Sequence, residues 1–131
     1  MKIKNEIVIK IFEQGDKESP LEACGYLAGN ENLITKHFPL RNIDQSTDHF
    51  SFDPAEQFTV NRQARKESLK ILGIYHTHPA SPARPSKEDI KLAFDPDIIY
   101  VIASLMDGER HIKAFKIIKE QVQEEKIILE D

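Results

Sequence analysis

The sequence predicts an α+β fold, in which one mixed, curved β-sheet is flanked by helices. Segments with helical spacing and segments with strand character mix along the chain without the strict βαβ alternation of a parallel sheet. No internal repeat, low-complexity tract or linker divides the 131 residues. A chain of this length holds one hydrophobic core, so we expect a single domain over residues 1–131.

The amino-terminal segment is predicted to form a short edge strand followed by a helix. Residues 1–4 are the strand, and Asn5 is expected to cap the helix. Apolar side chains recur at a spacing that places them on one helical face, at Ile7, Val8, Ile11 and Phe12. The polar segment 14–20, which contains glycine and proline, is expected to end this helix.

A β-hairpin and a polar loop are expected next. Residues 21–29 have the character of a strand, the pair Gly29-Asn30 is typical of a turn, and residues 33–38 supply the returning strand. Residues 41–52 are polar and irregular, which predicts a surface loop placed to form one wall of a substrate groove.

The central part of the chain is predicted to contain a helix, a strand and a shorter helix. The first helix begins at Asp53-Pro54, because proline suits the first helical position, and runs to Leu69. The apolar run 71–75 is the strand. Ser86 is placed as the N-cap of the second helix, over residues 87–94.

The carboxy-terminal part is predicted to be strands. Residues 98–103 form a continuous apolar run rich in β-branched side chains, which indicates a buried central strand. Asp107-Gly108 is a turn signal that leads into a strand over 111–117. After a charged stretch, residues 126–129 are expected to add a last edge strand.

Composition and charge exclude several classes of partner. The net charge is −4, and no stripe of basic residues is interleaved with aromatic ones, so no nucleic-acid partner is expected. No apolar run approaches the length of a membrane helix, and the amino terminus lacks a signal-peptide pattern. The lone Cys24 cannot form an internal disulfide, which agrees with a reducing compartment. We therefore expect a cytoplasmic protein without a membrane partner.

The stretch 76–89 has the chemistry of a metal site. His76 and His78 are two positions apart as a predicted strand ends, so both imidazoles project from one face. Three prolines stiffen the segment that follows, and Asp89 lies in the first turn of the helix that Ser86 caps. A carboxylate thus returns to the two histidines. Two imidazole nitrogens and one carboxylate oxygen are a common ligand set for a catalytic zinc with an open fourth position.

Each half of this motif also has an ordinary structural interpretation. Ser86 and Asp89 would serve as a helix cap with its reciprocal partner, and His-x-His is a common pair of strand residues. The joint spacing, rather than any single residue, favours the metal interpretation.

The pattern His76-x-His78, seven residues, Ser86-x-x-Asp89, with an upstream glutamate in Glu22-Ala23-Cys24-Gly25, resembles the JAMM (MPN-plus) metalloprotease motif. The similarity extends over most of the chain, from residues 21–29 to residues 96–105. Within that family, the motifs His-Thr-His-Pro, Pro-Ala-Arg-Pro-Ser and Pro-Asp-x-x-Tyr are most similar to those of small stand-alone prokaryotic members. These include the cysteine peptidase of a sulfur-carrier protein.

This resemblance implies a JAMM/MPN fold, which is cytidine-deaminase-like, and a zinc-dependent peptidase or isopeptidase. It implies Zn²⁺ held by His76, His78 and Asp89, with Glu22 as the base that takes the proton of the attacking water. Ser86 is implied as a hydrogen-bond donor to the oxyanion. The implied substrate is a peptide or isopeptide bond at the C-terminal tail of a ubiquitin-like or sulfur-carrier protein. The oligomeric state and the need for an activating partner stay open.

Three other functions compete with this one. MPN domains that have lost their ligands are protein-interaction scaffolds, an alternative that the intact motif disfavours. A zinc deaminase would carry His-x-Glu and a distant Pro-Cys-x-x-Cys, which a chain with one cysteine cannot supply. Cys24 as a nucleophile lacks a companion Cys-x-x-Cys or Cys-His-Asn signature, so we expect a buried strand residue there.

Overall fold

The computed structural model describes residues 1–108 and 110–131, and in this part of the chain eight strands form one sheet. The strands are β1 (Lys2–Lys4), β2 (Cys24–Asn30), β3 (Leu33–Leu40), β4 (Lys70–His78), β5 (Ile99–Ser104), β6 (His111–Ile118), β7 (Gln121–Glu125) and β8 (Ile128–Glu130). The helices are α1 (Asn5–Glu18), α2 (Pro54–Lys66) and α3 (Lys87–Lys91). No helix in residues 1–108 or 110–131 is long and apolar enough to cross a membrane.

The sheet is mixed and curled, with the strand order β7-β6-β5-β4-β2-β3-β1-β8. β4 lies in the interior of the sheet, antiparallel to β2 and parallel to β5. β2 has a register shift against each of its neighbours, and such bulges increase the local twist of a strand. β7 and β8 stand at opposite ends of the order, although only residues 126 and 127 separate them in sequence. The predicted α+β fold with a mixed, curved sheet is confirmed.

The helices cover the two faces of the sheet with separate apolar clusters. One cluster joins α1 to its face of the sheet and includes Ile7, Val8, Ile11, Leu27, Ile34, Tyr75 and Val101. On the other face, α2 packs Val60 and Ala64 against β2 and β3, and Ile90 of α3 packs against β5 and β6. Because side chains alternate along β4, Tyr75 belongs to the α1 face and His76 to the face of α2 and α3.

Several predicted elements are confirmed. β2 and β3 form the antiparallel hairpin, and β5 is the buried apolar strand expected from its composition. The side chain of Asp53 caps α2 by accepting a hydrogen bond from Ala55 N, with Pro54 as the first helical residue. Asp107 and Gly108 both have positive φ before β6, as the turn signal predicted. β8 is the expected edge strand.

The predicted end of α1 is wrong, because the helix continues through Gly15 to Glu18. A Cβ at Gly15 would lie 2.9 Å from Cγ2 of Thr77, so glycine permits the helix to approach β4 closely. A residue that is typical of a helix end is here a packing contact. The helix also begins one residue earlier than expected, since Lys4 rather than Asn5 occupies the N-cap position and no side chain caps the helix.

The strands differ from the predictions mainly at β1, β2, β4 and β7, and β8 spans Ile128–Glu130 rather than residues 126–129. β1 is not an edge strand, because it pairs with both β3 and β8. β2 begins at Cys24 rather than at residue 21, so Glu22 precedes the strand, and the hairpin turns at residues 31–32 beyond Gly29-Asn30. β4 extends through His78, which keeps both histidines within the sheet. β7 is not predicted, because its exposed, polar sequence gives no alternation.

The two later helices are shorter than predicted. α2 ends at Lys66, where Leu69 N donates to Ala64 O beyond Ser68, whose φ is positive. This is the hydrogen bond that closes a helix end through a left-handed residue. α3 spans five residues and ends at Lys91 rather than Phe94.

Candidate metal centre

Two buried histidines at the end of β4 form the base of the candidate site. His76 lies between Cys24 of β2 and Ile102 of β5 in the sheet register, and His78 lies beside Ser104. Because the residues alternate along the strand, both imidazoles project from the same face. Their Nε2 atoms are 3.0 Å apart. The strand therefore delivers two nitrogens to one point, as the sequence predicted.

Asp89 reaches the same point from the first turn of α3. Its Oδ2 atom lies 3.1 Å from the Nε2 atoms of both His76 and His78. The same oxygen accepts a hydrogen bond from Ser86 N at 2.9 Å, while Ser86 Oγ accepts one from Asp89 N at 3.0 Å. This reciprocal pair is a capping box, and it orients the carboxylate toward the histidines.

The proline-containing segment between β4 and α3 fixes the tautomer of His78. The Nδ1 atom of His78 lies 2.8 Å from Pro82 O, so it carries the proton and donates to that carbonyl. The other nitrogen, Nε2, is then left with a free lone pair. Ser104 Oγ donates to Ser81 O at 2.6 Å and anchors the same segment to β5. A backbone carbonyl on the other ring nitrogen, as Pro82 O is for His78, is typical of a histidine that ligates a metal.

The three ligand atoms fit a zinc ion. They form a triangle with edges of 3.0–3.1 Å, whereas the ligands of a tetrahedral zinc with bonds of 2.0–2.1 Å are about 3.3 Å apart. An unprotonated Nε2 and a carboxylate oxygen are both hydrogen-bond acceptors, and such atoms approach closely only when a proton or a cation lies between them. His76, His78 and Asp89 are therefore suited to hold Zn²⁺.

Glu22 lies beside this triangle in the segment before β2. The residue is 3% exposed, and its Oε1 atom has no hydrogen-bond partner in the described part of the chain. One carboxylate oxygen lies within 4.8 Å of ligand atoms of both His76 and His78. Glu22 is thus a candidate ligand by proximity, but the tighter triangle that includes Asp89 is the better ligand set. A carboxylate just outside that triangle is placed to contact a water molecule within it.

Burial and the neighbouring charges shift the pKa values of the two histidines and of the carboxyl groups of Glu22 and Asp89. Burial raises the pKa of Glu22 to about 8, although the charge of His78 opposes the shift. Burial also lowers the pKa of His76. For His78, burial disfavours protonation, but Asp89 and Pro82 O outweigh it and raise the pKa. Burial alone would raise the pKa of Asp89, yet its contacts with the two histidines hold it well below its usual range. A divalent cation would favour the ionised form of Glu22.

An apolar cavity of about 230 Å³ opens beside the triangle. His76 and Asp89 are among the residues that line it. One wall comes from the loop between β3 and α2, where the ring of Phe50 lies 4.7 Å from the imidazole of His76, centroid to centroid. Leu92 and Phe94 also line the cavity, and Phe94 is 81% exposed. The loop thus borders the site in the way expected of a groove wall.

Cys24 has no features of a nucleophile. It is fully buried on β2, where its Sγ donates a weak hydrogen bond to Leu40 O at 3.7 Å. Burial raises the pKa of the thiol far above its usual range, so the reactive thiolate is disfavoured.

The structure brings together all five residues singled out in the sequence: Glu22, His76, His78, Ser86 and Asp89. It also adds Thr77 and Asn42, which sequence reasoning missed. Thr77 Oγ1 accepts a hydrogen bond from Ala23 N at 2.8 Å, and the buried Asn42 donates to Glu22 O at 3.1 Å. The only sequence signal for Thr77 is its position between the two histidines. Nothing in the sequence distinguishes Asn42 from a surface asparagine.

Comparison with known proteins identifies related chains. The family model described as prokaryotic homologs of the JAB domain matches residues 4–118. The CysO-cysteine peptidase of Mycobacterium tuberculosis is 34% identical over 128 residues, which cover 95% of this chain and 88% of the relative. The desampylase of Pyrococcus furiosus is 33% identical over 113 residues, which cover 86% of this chain and 79% of the relative.

Solved structures agree with the observed fold. The solution structure of a protein from Desulfitobacterium hafniense matches with a TM-score of 0.91 and 41% identity, over 99% of this chain and 92% of the other. The crystal structure of a JAB1/MPN domain protein from Archaeoglobus fulgidus matches over 100% of both chains, with a TM-score of 0.70 and 20% identity. The second likeness concerns the fold alone, and it confirms the predicted JAMM/MPN fold.

We expect the purified protein to bind one zinc ion and the His78→Ala variant to lose it. Removal of one of three ligands should weaken binding by more than the ~10–100-fold typical of losing only an outer hydrogen-bonding partner. Metal content after dialysis, measured by mass spectrometry, checks this. The matched control is His111→Ala, which removes an exposed histidine of β6. Unchanged zinc content in His78→Ala would refute the ligand assignment.

Proposed function

The chain belongs to the family of prokaryotic homologs of the JAB domain, and from this premise we propose that it is a zinc-dependent metallopeptidase of the JAMM type. The observation that carries the proposal is the triangle of His76, His78 and Asp89 with the buried, unpartnered carboxylate of Glu22 beside it. The names of the two relatives, a peptidase and a desampylase, support hydrolysis. In this proposal residues 1–131 act as one metallopeptidase domain in the cytoplasm.

His76, His78 and Asp89 would hold the zinc ion at Nε2, Nε2 and Oδ2. When bound, zinc supplies Lewis acidity toward the scissile carbonyl and lowers the pKa of a coordinated water from 15.7 to about 7. Two hydrogen bonds keep these ligands oriented. Pro82 O accepts from Nδ1 of His78, the ring nitrogen that does not face the metal site. Ser86 N donates to Oδ2 of Asp89, which leaves that oxygen a second lone pair for the metal.

Glu22 would move the proton. Its carboxylate accepts a proton from the attacking water as the water oxygen bonds to the scissile carbonyl carbon. It then delivers this proton to the leaving nitrogen as the carbon–nitrogen bond breaks. Burial suits this role, since a carboxylate that is poorly solvated holds a proton more firmly than an exposed one. The carboxylate returns to its ionised form after each turnover.

Ser86 would stabilise the oxyanion. Its Oγ already accepts a hydrogen bond from Asp89 N, which leaves its own O–H free to donate. We place the oxyanion near Ser86 because Ser86 caps the helix that carries Asp89. A donor that the fold holds in place needs little reorganisation during the reaction, and the capping box holds Ser86.

The substrate we propose is the C-terminal tail of a ubiquitin-like or sulfur-carrier protein. The cavity beside the triangle is small and apolar, which suits a thin tail that follows a folded body better than a long unfolded chain. In the described part of the chain the sheet edges are β7 and β8, whereas the histidines lie on the interior strand β4. The tail would therefore run along the cavity rather than join the edge of the sheet.

Incubation of the zinc-loaded protein with ubiquitin-like carriers that bear a C-terminal extension tests this function. We expect the extension, including a single cysteine after the carrier's Gly-Gly end, to be removed, and intact mass will show the loss. An unstructured peptide with the same last residues is the control. Equal cleavage of that peptide would contradict the preference for a folded body, and cleavage of isopeptide conjugates alone would support the broader isopeptidase function. Zinc binding without any cleavage would support the interaction scaffold instead.

The Glu22→Gln variant should keep the zinc and the fold but lose turnover. Glutamine is nearly isosteric with glutamate but cannot accept the proton of the water, and general base catalysis contributes about 10²–10⁴-fold. Single-turnover cleavage followed by mass, with zinc content measured in parallel, checks this. Glu13→Gln, on an exposed part of α1, is the control. A Glu22→Gln variant with retained activity would require a different base.

The Ser86→Ala variant should lose more rate than stability. Loss of the helix cap should cost about 1 kcal/mol of unfolding free energy, whereas loss of an oxyanion donor should lower kcat by about 10²–10³-fold. Asp53→Ala is the matched control, because it removes the side-chain cap of α2 and Asp53 does not line the cavity. Thermal unfolding and kcat are measured for both variants. Equal kcat in Ser86→Ala and wild type would reduce Ser86 to a cap.

A further inference from the structure

The loop between β3 and α2 is organised around the buried side chain of Asn42. The amide nitrogen Nδ2 donates to Glu22 O at 3.1 Å and to His49 O at 2.9 Å. The amide oxygen Oδ1 accepts from Asp44 N at 3.1 Å and from Ser51 N at 3.4 Å. One side chain thus links both ends of the loop to the backbone of Glu22. Asn42 is 7% exposed, so its amide is a structural partner and not a surface group.

The backbone of Glu22 depends on this loop, because the residue precedes β2 and has no partner in the sheet ladder. Glu22 N donates to Ser46 O at 2.9 Å, and Glu22 O accepts from Asn42. The next residue, Ala23, is held by β4 instead, since Ala23 N donates to Thr77 Oγ1 and Thr77 N donates to Ala23 O. The loop and β4 therefore fix the chain on either side of the Glu22 side chain.

The carboxylate of Glu22 has little to orient it other than its backbone. Its Oε1 atom is buried and has no hydrogen-bond partner within residues 1–108 and 110–131. A carboxylate that is held by neighbouring side chains keeps its place when the backbone shifts slightly. The Glu22 carboxylate would move with the backbone, and a displacement of about 1 Å from the reacting atoms can cost about 10²-fold in rate.

We propose that Asn42 is a positioning residue of the hydrolytic site, whose amide holds Glu22 where its carboxylate can take the proton of the water. This inference rests on the proposed function, because Asn42 acts through the base. The same loop carries Phe50 against the imidazole of His76, so Asn42 also sets one wall of the cavity. Asn42 contacts neither the ligand atoms nor the cavity, and its effect should be separable from metal binding.

Amide hydrogen exchange tests the positioning without any need for activity. In the wild type, the Glu22 amide should be protected and should exchange together with the Ser51 amide, because the loop opens as a unit. In Asn42→Ala the Glu22 amide should exchange at least about tenfold faster, while the Thr77 amide in β4 stays protected. An unprotected Glu22 amide in the wild type would overturn the inference, and this measurement stands even if no Asn42 variant folds.

Kinetics distinguish positioning from a general loss of structure. Asn42→Asp keeps the size and the acceptor of the side chain but removes the donor to Glu22 O, and Asn42→Ala removes both. We expect kcat to fall about 10–100-fold with KM changed less than about threefold and zinc content unchanged. Asn61→Ala is the control, because Asn61 donates to Gln57 O on the exposed surface of α2. An unchanged kcat, or a loss of zinc, would overturn the inference.

A double-mutant cycle with Glu22→Asp completes the test. That variant keeps a carboxylate but moves it by one methylene, so the residual rate can be measured. If Asn42 acts through Glu22, the Asn42→Asp change should lower kcat less in the Glu22→Asp protein than in the wild type. Losses that simply multiply would overturn the inference. A wild type that cleaves no carrier would instead refute the proposed function, and the exchange data would still decide whether Asn42 holds Glu22.

Discussion

The Oδ2 atom of Asp89 is the point on which the rest of the site depends. It accepts a hydrogen bond from Ser86 N, and it lies 3.1 Å from the Nε2 atoms of His76 and His78. One oxygen therefore belongs both to the capping box of α3 and to the triangle of candidate ligand atoms. α3 has five residues and no buried side chain, and so short a helix is not stable by itself in water. Its start is held by the capping box, and a bound cation would hold it more firmly. In the proposed metallopeptidase, the order of α3 and the binding of a metal ion would therefore be coupled.

The buried carboxylate of Glu22 is the opposite case, a feature that stability alone would not retain. A buried polar atom without a partner is unfavourable, and most such atoms in proteins are paired. The fold nevertheless holds this residue from two directions, through Asn42 and through the Thr77 contacts of Ala23. A group that is costly to bury and yet anchored from two sides agrees with the proton-transfer role that we propose for Glu22, because functional sites are where sequences depart from the rules of stability.

The sequence predicts the convergence of His76, His78 and Asp89 well because their geometry comes from short-range rules. Alternation along β4 brings His76 and His78 to one face, and a capping box turns Asp89 toward them, so no distant contact is needed to foresee the triangle. The missed features depend on the tertiary fold. Gly15 lies inside α1, where the close approach of Thr77 leaves no room for a side chain. Asn42 is buried, and its amide donates to the backbone of Glu22. Neither contact is visible in the local sequence pattern, which indicates a helix end at Gly15 and a surface loop at Asn42.

The curl of the sheet has a consequence for how the chain folds. β1 lies between β3 and β8, and the backbone of Met1 exchanges hydrogen bonds with Lys126 and Ile128, so the first and last strands support each other. Contacts that join residues more than a hundred positions apart form slowly, because a long loop must be closed before they contribute. β1 therefore gains its second neighbour late, after the hairpin and β4 can pair. The interior strands β2, β4 and β5 can assemble first, and the pairing of β1 with β8, which joins the two ends of the chain, follows.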